Sequence, residues 1–204
     1  MRKSIQQQLI ISGVGGQGVL FVTRLLAEAA IKKGLPVFTS ETHGMAQRGG
    51  TVLSHLKVGD FASPLIRPKQ ADGLLVLKAE NITVHKNFLK SGGWAVANGD
   101  QNSKQATEIP LHNIDADSLA QEIGNPKAAN LIVLGFALAK AGKIKAKEGK
   151  LFCTMTDIKS VLKNRFGKNK KMMEAYREKQ NADRKFLSDS LPEEVKEHFK
   201  EFLK

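Results

Sequence analysis

Leu9-Ile10-Ile11-Ser12-Gly13-Val14-Gly15-Gly16-Gln17-Gly18 is the stretch whose reading decides the fold. Leu9 to Ser12 is apolar and rich in Ile, which predicts a central strand buried on both faces. Gly13, Gly15 and Gly18 then satisfy G-x-G-x-x-G after a strand and before a helical pattern, the context that motif requires. Glycine there lets the backbone turn sharply and come close to a ligand. The following helix directs its free N–H groups and positive dipole end at the loop, where an anion can bind. Two readings stay open on these residues: a dinucleotide site of Rossmann type, or a tight strand-to-helix turn with no ligand.

Working outward, Gln17 to Lys33 reads as a helix with Val19, Val22, Leu25, Leu26, Ala29 and Ala30 on one face and Gly34 as its stop. Pro36 to Ser40 is the second strand. A dinucleotide-binding unit ends that strand in an acid for the ribose hydroxyls, and Glu41 stands about there. The next segment, Thr42-His43-Gly44-Met45-Ala46-Gln47-Arg48-Gly49-Gly50, is no part of that fingerprint. Thr51 to Val58 is the third strand. Val52, Ser54, Leu56 and Val58 form its more apolar face and should meet the core; Thr51, Leu53, His55 and Lys57 form the other. A parallel crossover needs a dozen or more residues, and Glu41 to Gly50 offers ten. The third strand is therefore expected to run antiparallel to the second, in a mixed sheet. If the first two strands are parallel neighbours, as in a βαβ unit, both loops share one sheet edge and Arg48 faces the helix start near Gln17.

Gly13-Val14-Gly15-Gly16-Gln17-Gly18, paired with Ser40-Glu41-Thr42-His43-Gly44-Met45-Ala46-Gln47-Arg48-Gly49-Gly50, resembles one family: the gamma subunit or domain of the 2-oxoacid:ferredoxin oxidoreductases. The His43 to Gly50 version is most similar to the beta subunit of indolepyruvate ferredoxin oxidoreductase. Relatives acting on pyruvate or 2-oxoglutarate tend to carry a Tyr-Gly or Phe-Gly variant ending in the same Arg-Gly-Gly. The resemblance runs from Gln8 to Phe186 and is strongest up to Asp60. It implies an oxidoreductase that breaks 2-oxoacids with thiamine diphosphate and passes electrons through iron–sulfur clusters to ferredoxin, many members using coenzyme A as acyl acceptor. It implies that these cofactors sit on a partner catalytic subunit, that this chain alone binds none and is inactive alone, and that it helps shape the active-site entrance. The implied cofactor-binding or interface residues are Gly13, Gly15, Gly16, Gln17, Gly18, Glu41, His43, Gly44, Gln47, Arg48, Gly49 and Gly50. Lys78-Ala79-Glu80 departs from the Glu-Pro that the family often has.

The residues agree with an accessory role. There is one cysteine, Cys153, whereas a cluster normally needs four. Leu151-Phe152-Cys153 reads as a small apolar site, not a nucleophile. Gly59-Asp60 and Gly99-Asp100 begin like a thiamine diphosphate Gly-Asp-Gly motif, but each lacks the second glycine. The five histidines, His43, His55, His85, His112 and His198, show no metal-ligand spacing, so no metal site is expected. His43 is the candidate acid–base residue, since histidine titrates near neutral pH, or else a loop residue ordering its neighbours. Arg48, flanked by Gly49 and Gly50, can take a phosphate or carboxylate bidentately, or form a salt bridge across a subunit interface. Gln17 can bind a ligand or cap its own turn. Asp72, His55, Lys78 and Glu80 read as surface or structural residues. Two other functions remain open: a free-standing NAD(P)-binding protein using Gly13, Gly15, Gly18 and Glu41, and an anion- or acyl-carrier-binding module.

Further along, strands are expected at Gly73–Leu77 and Trp94–Asn98, with a helix over Glu80–Lys90 between them. Ile109 to Leu111 is a short edge segment. A helix from Ser118 to Ile123 takes Asp117 as cap, and Ala128 to Ala141 is a buried helix. Alternating strands and helices imply an α/β fold, a three-layer α/β/α sandwich with a Rossmann-like mixed sheet. Residues 1–150 are expected as that domain and 151–204 as a helical C-terminal extension packed on it: a helix from Thr156 or Asp157 to Phe166, a polar helix from Lys168 to Leu187, and an amphipathic one from Leu191 to Leu203. The net charge is +12, and residues 140–185 carry fifteen Lys/Arg against five Asp/Glu. That surplus is a solvated lysine-rich face or a docking face for an acidic partner; no nucleic-acid motif accompanies it. No apolar run approaches the ~20 residues that span a bilayer, and the N-terminus lacks the apolar core of a signal peptide, so a cytoplasmic protein is expected. Self-association of the isolated chain is left open.

Overall fold

The computed structural model describes residues 5–43, 50–100, 110–143 and 151–166. The chain runs β1 (Gln7–Val14), α1 (Val19–Lys32), β2 (Val37–His43), β3 (Thr51–Val58), β4 (Ala71–Val76), α2 (Asn81–His85), a 3-10 turn (Lys86–Phe88), β5 (Leu89–Asn98), β6 (Leu111–Ile114), α3 (Ala116–Glu122), α4 (Ala129–Lys143) and α5 (Met155–Phe166). The strands form one sheet in the order β2-β3-β1-β4-β5-β6. Strand β3 is antiparallel to both β1 and β2; the remaining pairings are parallel. The connection from β2 to β3, seven residues from 44 to 50, is too short for a parallel crossover, and the mixed sheet is the one expected; helices cover both faces.

The first two strands are not neighbours, because β3 lies between them. Both are antiparallel to β3, so they still point the same way, and their carboxyl ends still share one edge of the sheet. The short connection folds β3 straight back along β2, and the open flank of β1 receives it.

One face of the sheet is thickly covered. Leu9, Ile11, Leu56, Val58, Leu75 and Val96 meet Val22, Leu25, Leu26 and Ala29 of α1, Val133, Leu134 and Ala137 of α4, and Ile158 and Val161 of α5. The other face is thinner: Ile10, Leu74, Val76, Ala95 and Ala97 lie under Ile66 of the 59–70 loop and Ile82 of α2. Gly73 has no side chain because the Trp94 ring lies against its backbone. The second face of β3 is covered too. His55 is 4% and Lys57 7% exposed; Ile66 N donates to His55 Nδ1 at 3.2 Å, and the Lys57 ammonium lies 5.1 Å from the centre of the Phe61 ring.

α5 is clamped to α1 by three exposed polar contacts. Lys33 Nζ meets Asp157 at 2.8 Å, Lys32 Nζ donates to Ser160 Oγ at 2.6 Å, and Arg165 Nε donates to Glu28 at 3.0 Å. Asp157 accepts from Thr154 N at 2.7 Å while Thr154 Oγ1 accepts from Asp157 N at 3.4 Å, a reciprocal cap that starts α5 a residue before the expected Thr156.

Several local expectations are corrected. The helix over Glu80–Lys90 is only α2 plus a 3-10 turn, and β5 begins at Leu89, well before Trp94. Ser91-Gly92-Gly93 does not stop a helix; it lies inside β5, where the pairing with β4 shifts register. The cap of α3 is Asp115, whose carboxylate accepts from Ser118 N at 3.0 Å, not Asp117. Strand β2 continues to His43, so Glu41 lies in the strand and not in the loop. Ile109 and the two helices expected beyond Lys168 lie outside the described residues.

Candidate functional site at the carboxyl edge of the sheet

The Gly-rich turn is held by its own side chains. Gln17 Oε1 accepts from Val14 N at 2.9 Å and Gln17 Nε2 donates to Leu77 O at 3.1 Å, so the amide stitches the end of β1 to the end of β4. Asn130 of α4 donates to Gln17 O at 3.0 Å from behind. A Cβ on Gly13 would meet Val19 Cγ2 at 2.8 Å, Gln17 Oε1 at 3.0 Å and Leu77 Cβ at 3.1 Å, so Gly13 is required by packing. Gly18 caps α1 at φ 83° with no side-chain cap, and no acid stands in the first turn of α1. The positive end of the helix is therefore not neutralised from within the turn.

Gly15 N donates to Gly50 O at 3.1 Å. This bond pins the returning end of the second loop onto the first turn, and Val14 pairs with Thr51 beside it. Glu41 is placed differently. It pairs with Ser54, which pairs with Ile11, so it stands level with the middle of β1 and two strand spacings away, about 10 Å. Glu41 is exposed there, and β3 separates it from the turn. A dinucleotide-binding unit needs its acid at the end of the strand next to the glycines. The backbone of His43 ends β2 level with Val52 and Gly13. Gly44, Gln47, Arg48 and Gly49 lie outside the described residues; Gly13, Gly15, Gly16, Gln17, Gly18 and Gly50 are brought together.

Residues that the motifs did not single out stand directly beneath the turn. Asn81 Nδ2 donates to Ser12 Oγ and to Gly13 O, both at 3.1 Å, and Ser12 Oγ lies 2.9 Å from His85 Nδ1. Ser12 is fully buried and Asn81 and His85 nearly so. Leu77 N donates to Ser12 O at 2.7 Å. Asn98 Nδ2 donates to Leu77 O at 3.3 Å, and its Oδ1 accepts from Ala116 N at 2.9 Å. The one signal in the sequence was Ser12 itself, a hydroxyl closing an apolar strand.

Burial lowers the pKa of His85, partly offset by the Asn81 main chain. His55 is lowered by burial, then by Lys57, then by His85. Both imidazoles pack on Phe88, at 5.7 Å and 6.4 Å between ring centres. Cys153 is buried and its thiol is pushed up to about 12, chiefly by that burial, so it carries no thiolate chemistry near neutral pH. Asp72 accepts from Gln8 N at 2.6 Å and binds Lys90 at 2.7 Å, a structural use. Among the described residues no three His, Cys, Asp or Glu side chains gather to hold a metal, and no helix is long and apolar enough to cross a membrane.

Comparison with known proteins gives the same frame. The profile described as pyruvate ferredoxin/flavodoxin oxidoreductase matches residues 8–178. An indolepyruvate oxidoreductase subunit IorB of Archaeoglobus fulgidus is 32% identical over 147 residues, covering 62% of this chain and 73% of that protein. The crystal structure of pyruvate oxidoreductase subunit PORC from Thermotoga maritima superposes with TM-score 0.64 at 20% identity, over 99% of this chain and 94% of that one. The 2-oxoglutarate:ferredoxin oxidoreductase of Magnetococcus marinus, solved with 2-oxoglutarate, coenzyme A and succinyl-CoA, has TM-score 0.61 at 22% identity; it matches 88% of this chain, which spans 31% of that longer chain. At these identities the two structures speak for the fold.

Proposed function

The chain belongs to the pyruvate ferredoxin/flavodoxin oxidoreductase family, and from that premise we propose that it is the gamma-type subunit of an indolepyruvate-type 2-oxoacid:ferredoxin oxidoreductase. Its relatives are small subunits of such oxidoreductases. In this reading a catalytic partner carries thiamine diphosphate and the iron–sulfur clusters and delivers electrons to ferredoxin. This chain supplies the edge that carries the Gly13–Gly18 turn and Gly50, the last residue of the second motif, and binds no cofactor alone. The indolepyruvate assignment rests on the His-Gly-Met-Ala-Gln-Arg-Gly-Gly sequence and on the indolepyruvate relatives.

The observation that carries the reading is the bond from Gly15 N to Gly50 O. It ties Gly15 of the first motif to Gly50, the last residue of the second, beside a helix N-terminus without an acid. Two residues before Gly50 in sequence, Arg48 adds a guanidinium suited to a phosphate of the partner's cofactor or to a partner carboxylate. The position of Glu41 removes the ribose contact on which a free-standing dinucleotide-binding module would depend.

Reconstitution with the catalytic subunit tests this. Arg48→Ala should leave the isolated chain folded and lower assembly or turnover of the complex by about tenfold to a hundredfold, from roughly 1.5–3 kcal/mol for one charge-assisted contact. Arg48→Lys should restore part of it, keeping the charge without the fork. Wild-type activity in Arg48→Ala would overturn the anion contact.

A further inference from the structure

Beneath the Gly-rich turn runs a buried chain of hydrogen bonds linking Asn81, Ser12 and His85. Asn81 has two amide protons, and both are used, one on Ser12 Oγ and one on Gly13 O. Ser12 Oγ therefore receives a bond from Asn81, and in the tautomer with Nδ1 unprotonated its own single proton goes to His85 Nδ1 at 2.9 Å. That arrangement needs an unprotonated Nδ1. A proton on Nδ1 turns the ring from acceptor to donor. The Ser12 oxygen, with two lone pairs, could accept from both, but its own hydrogen would lose its acceptor in a side chain that water does not reach. To find another acceptor the hydroxyl must turn, which disturbs the bond it takes from Asn81 and, through Asn81, the Gly13 carbonyl where the turn begins.

We propose that Asn81, Ser12 and His85 are positioning residues that hold the Gly13–Gly18 turn in its working register, and that a proton arriving at His85 Nδ1 releases it. None of the three touches a ligand; they act through the main chain of Gly13, which leads by two residues to the Gly15 N–H that holds Gly50. Around the His85 ring stand Ser12 from β1, Asn81 from its own helix, Phe88 from the following turn and His55 from β3, the last being the titratable neighbour and itself flanked by Lys57. Both neighbours are basic, and the buried surroundings disfavour the imidazolium. At neutral pH the chain of bonds is intact, and acidification breaks it. For what the turn does, the proposal rests on the function proposed above; for the coupling itself it stands alone.

The coupling is read in the full-length chain by following the amide signals of Gly13 and Gly15 by NMR from about pH 8 to about pH 5. Both signals should move together with the His85 ring, with a midpoint below the ordinary histidine value. The movement should vanish in His85→Asn, whose Oδ1 can still accept from Ser12 but does not titrate, and in Ser12→Ala, which removes the relay and leaves Asn81 its bond to Gly13. Glycine signals that stay still while His85 titrates, or that titrate unchanged in His85→Asn, would overturn the proposal. In the reconstituted complex, Asn81→Ala should lower kcat by about tenfold, the scale of one lost buried contact. The acid limb of the pH profile should disappear in His85→Asn; if that limb is unmoved, the turn's register does not matter for turnover and the positioning claim fails. If the NMR coupling holds while the wild-type chain neither assembles with a catalytic subunit nor supports its turnover, the proposal stands and the functional reading falls.

Discussion

The two faces of the sheet are built on different terms. The α1 face is mainly apolar, with Thr23 and Ser54 buried within it, and α1, α4 and α5 together seal it. The α2 face has a small apolar patch under a five-residue helix and a loop, and interleaved with it are Ser12, His55, Lys57, Asn81 and His85, all buried. Buried polar groups cost free energy unless bonded, and here Ser12, Asn81 and His85 are bonded to one another and to the turn, while His55 accepts from Ile66 N and the Lys57 ammonium lies over the Phe61 ring. The difference amounts to a division of labour: the α1 face supplies most of the folding free energy, and the α2 face fixes where the turn stands.

The contrast should show first in the cores of the two faces. Leu26→Ala should cost about 3–5 kcal/mol, because the residue is fully buried among side chains of several elements and the cavity cannot collapse. Ile82→Ala, equally buried, should cost nearer to about 2 kcal/mol, since the short α2 can settle into the gap. Denaturant midpoints of both variants check this; an equal loss would mean the thin face is no less committed to stability.

The next test separates the faces by pH. His85 and His55 have lowered pKa values in the folded protein, against an unfolded value of 6.5. The unfolded chain then binds more protons than the folded one below pH 6.5, so stability is fully present above about 6.5 and is lost as pH falls through the folded values. His112, lowered by burial and by Lys140, adds to the slope. Melting temperature against pH should fall on the acid side in the wild type and fall less in His85→Asn. Equal slopes would place the acid sensitivity elsewhere.

The smallest effect belongs to the rim of the α1 face. Arg165→Ala removes an exposed pair with Glu28 and a guanidinium 5.9 Å from the Phe21 ring, and should cost about 1 kcal/mol or less, shrinking further in high salt. A larger loss in a thermal melt would show that α5 is held by its surface clamps more than by Ile158 and Val161.

Much of the fold was legible in residues 9 to 58. The Ile-rich strand, the α1 stripe and the short connection before β3 are local signals, and each was realised. Boundaries failed where one signal had two meanings. Gly92-Gly93 reads as a helix stop, yet a glycine pair serves equally for a strand that shifts register, and pairing with β4 chose the second. Asp115 and Asp117 are both able caps, and only the backbone at the start of α3 selected between them.

For the candidate site, the sequence by itself determined that two glycine-bearing segments follow two strands, and which family they resemble. The chemistry is written in residue types a few positions apart, and such spacing is visible without a fold. Only the tertiary structure decided that β3 lies between those strands, which moves Glu41 about two strand spacings from the turn while Gly50 returns to Gly15. It alone brought Ser12 to His85, 73 residues apart, and Gln17 to Leu77, 60 apart. The physical reason is that a lone buried hydroxyl or amide announces only that it needs a partner. Sheet order and register, set by the packing of the whole chain, name which residue that partner is.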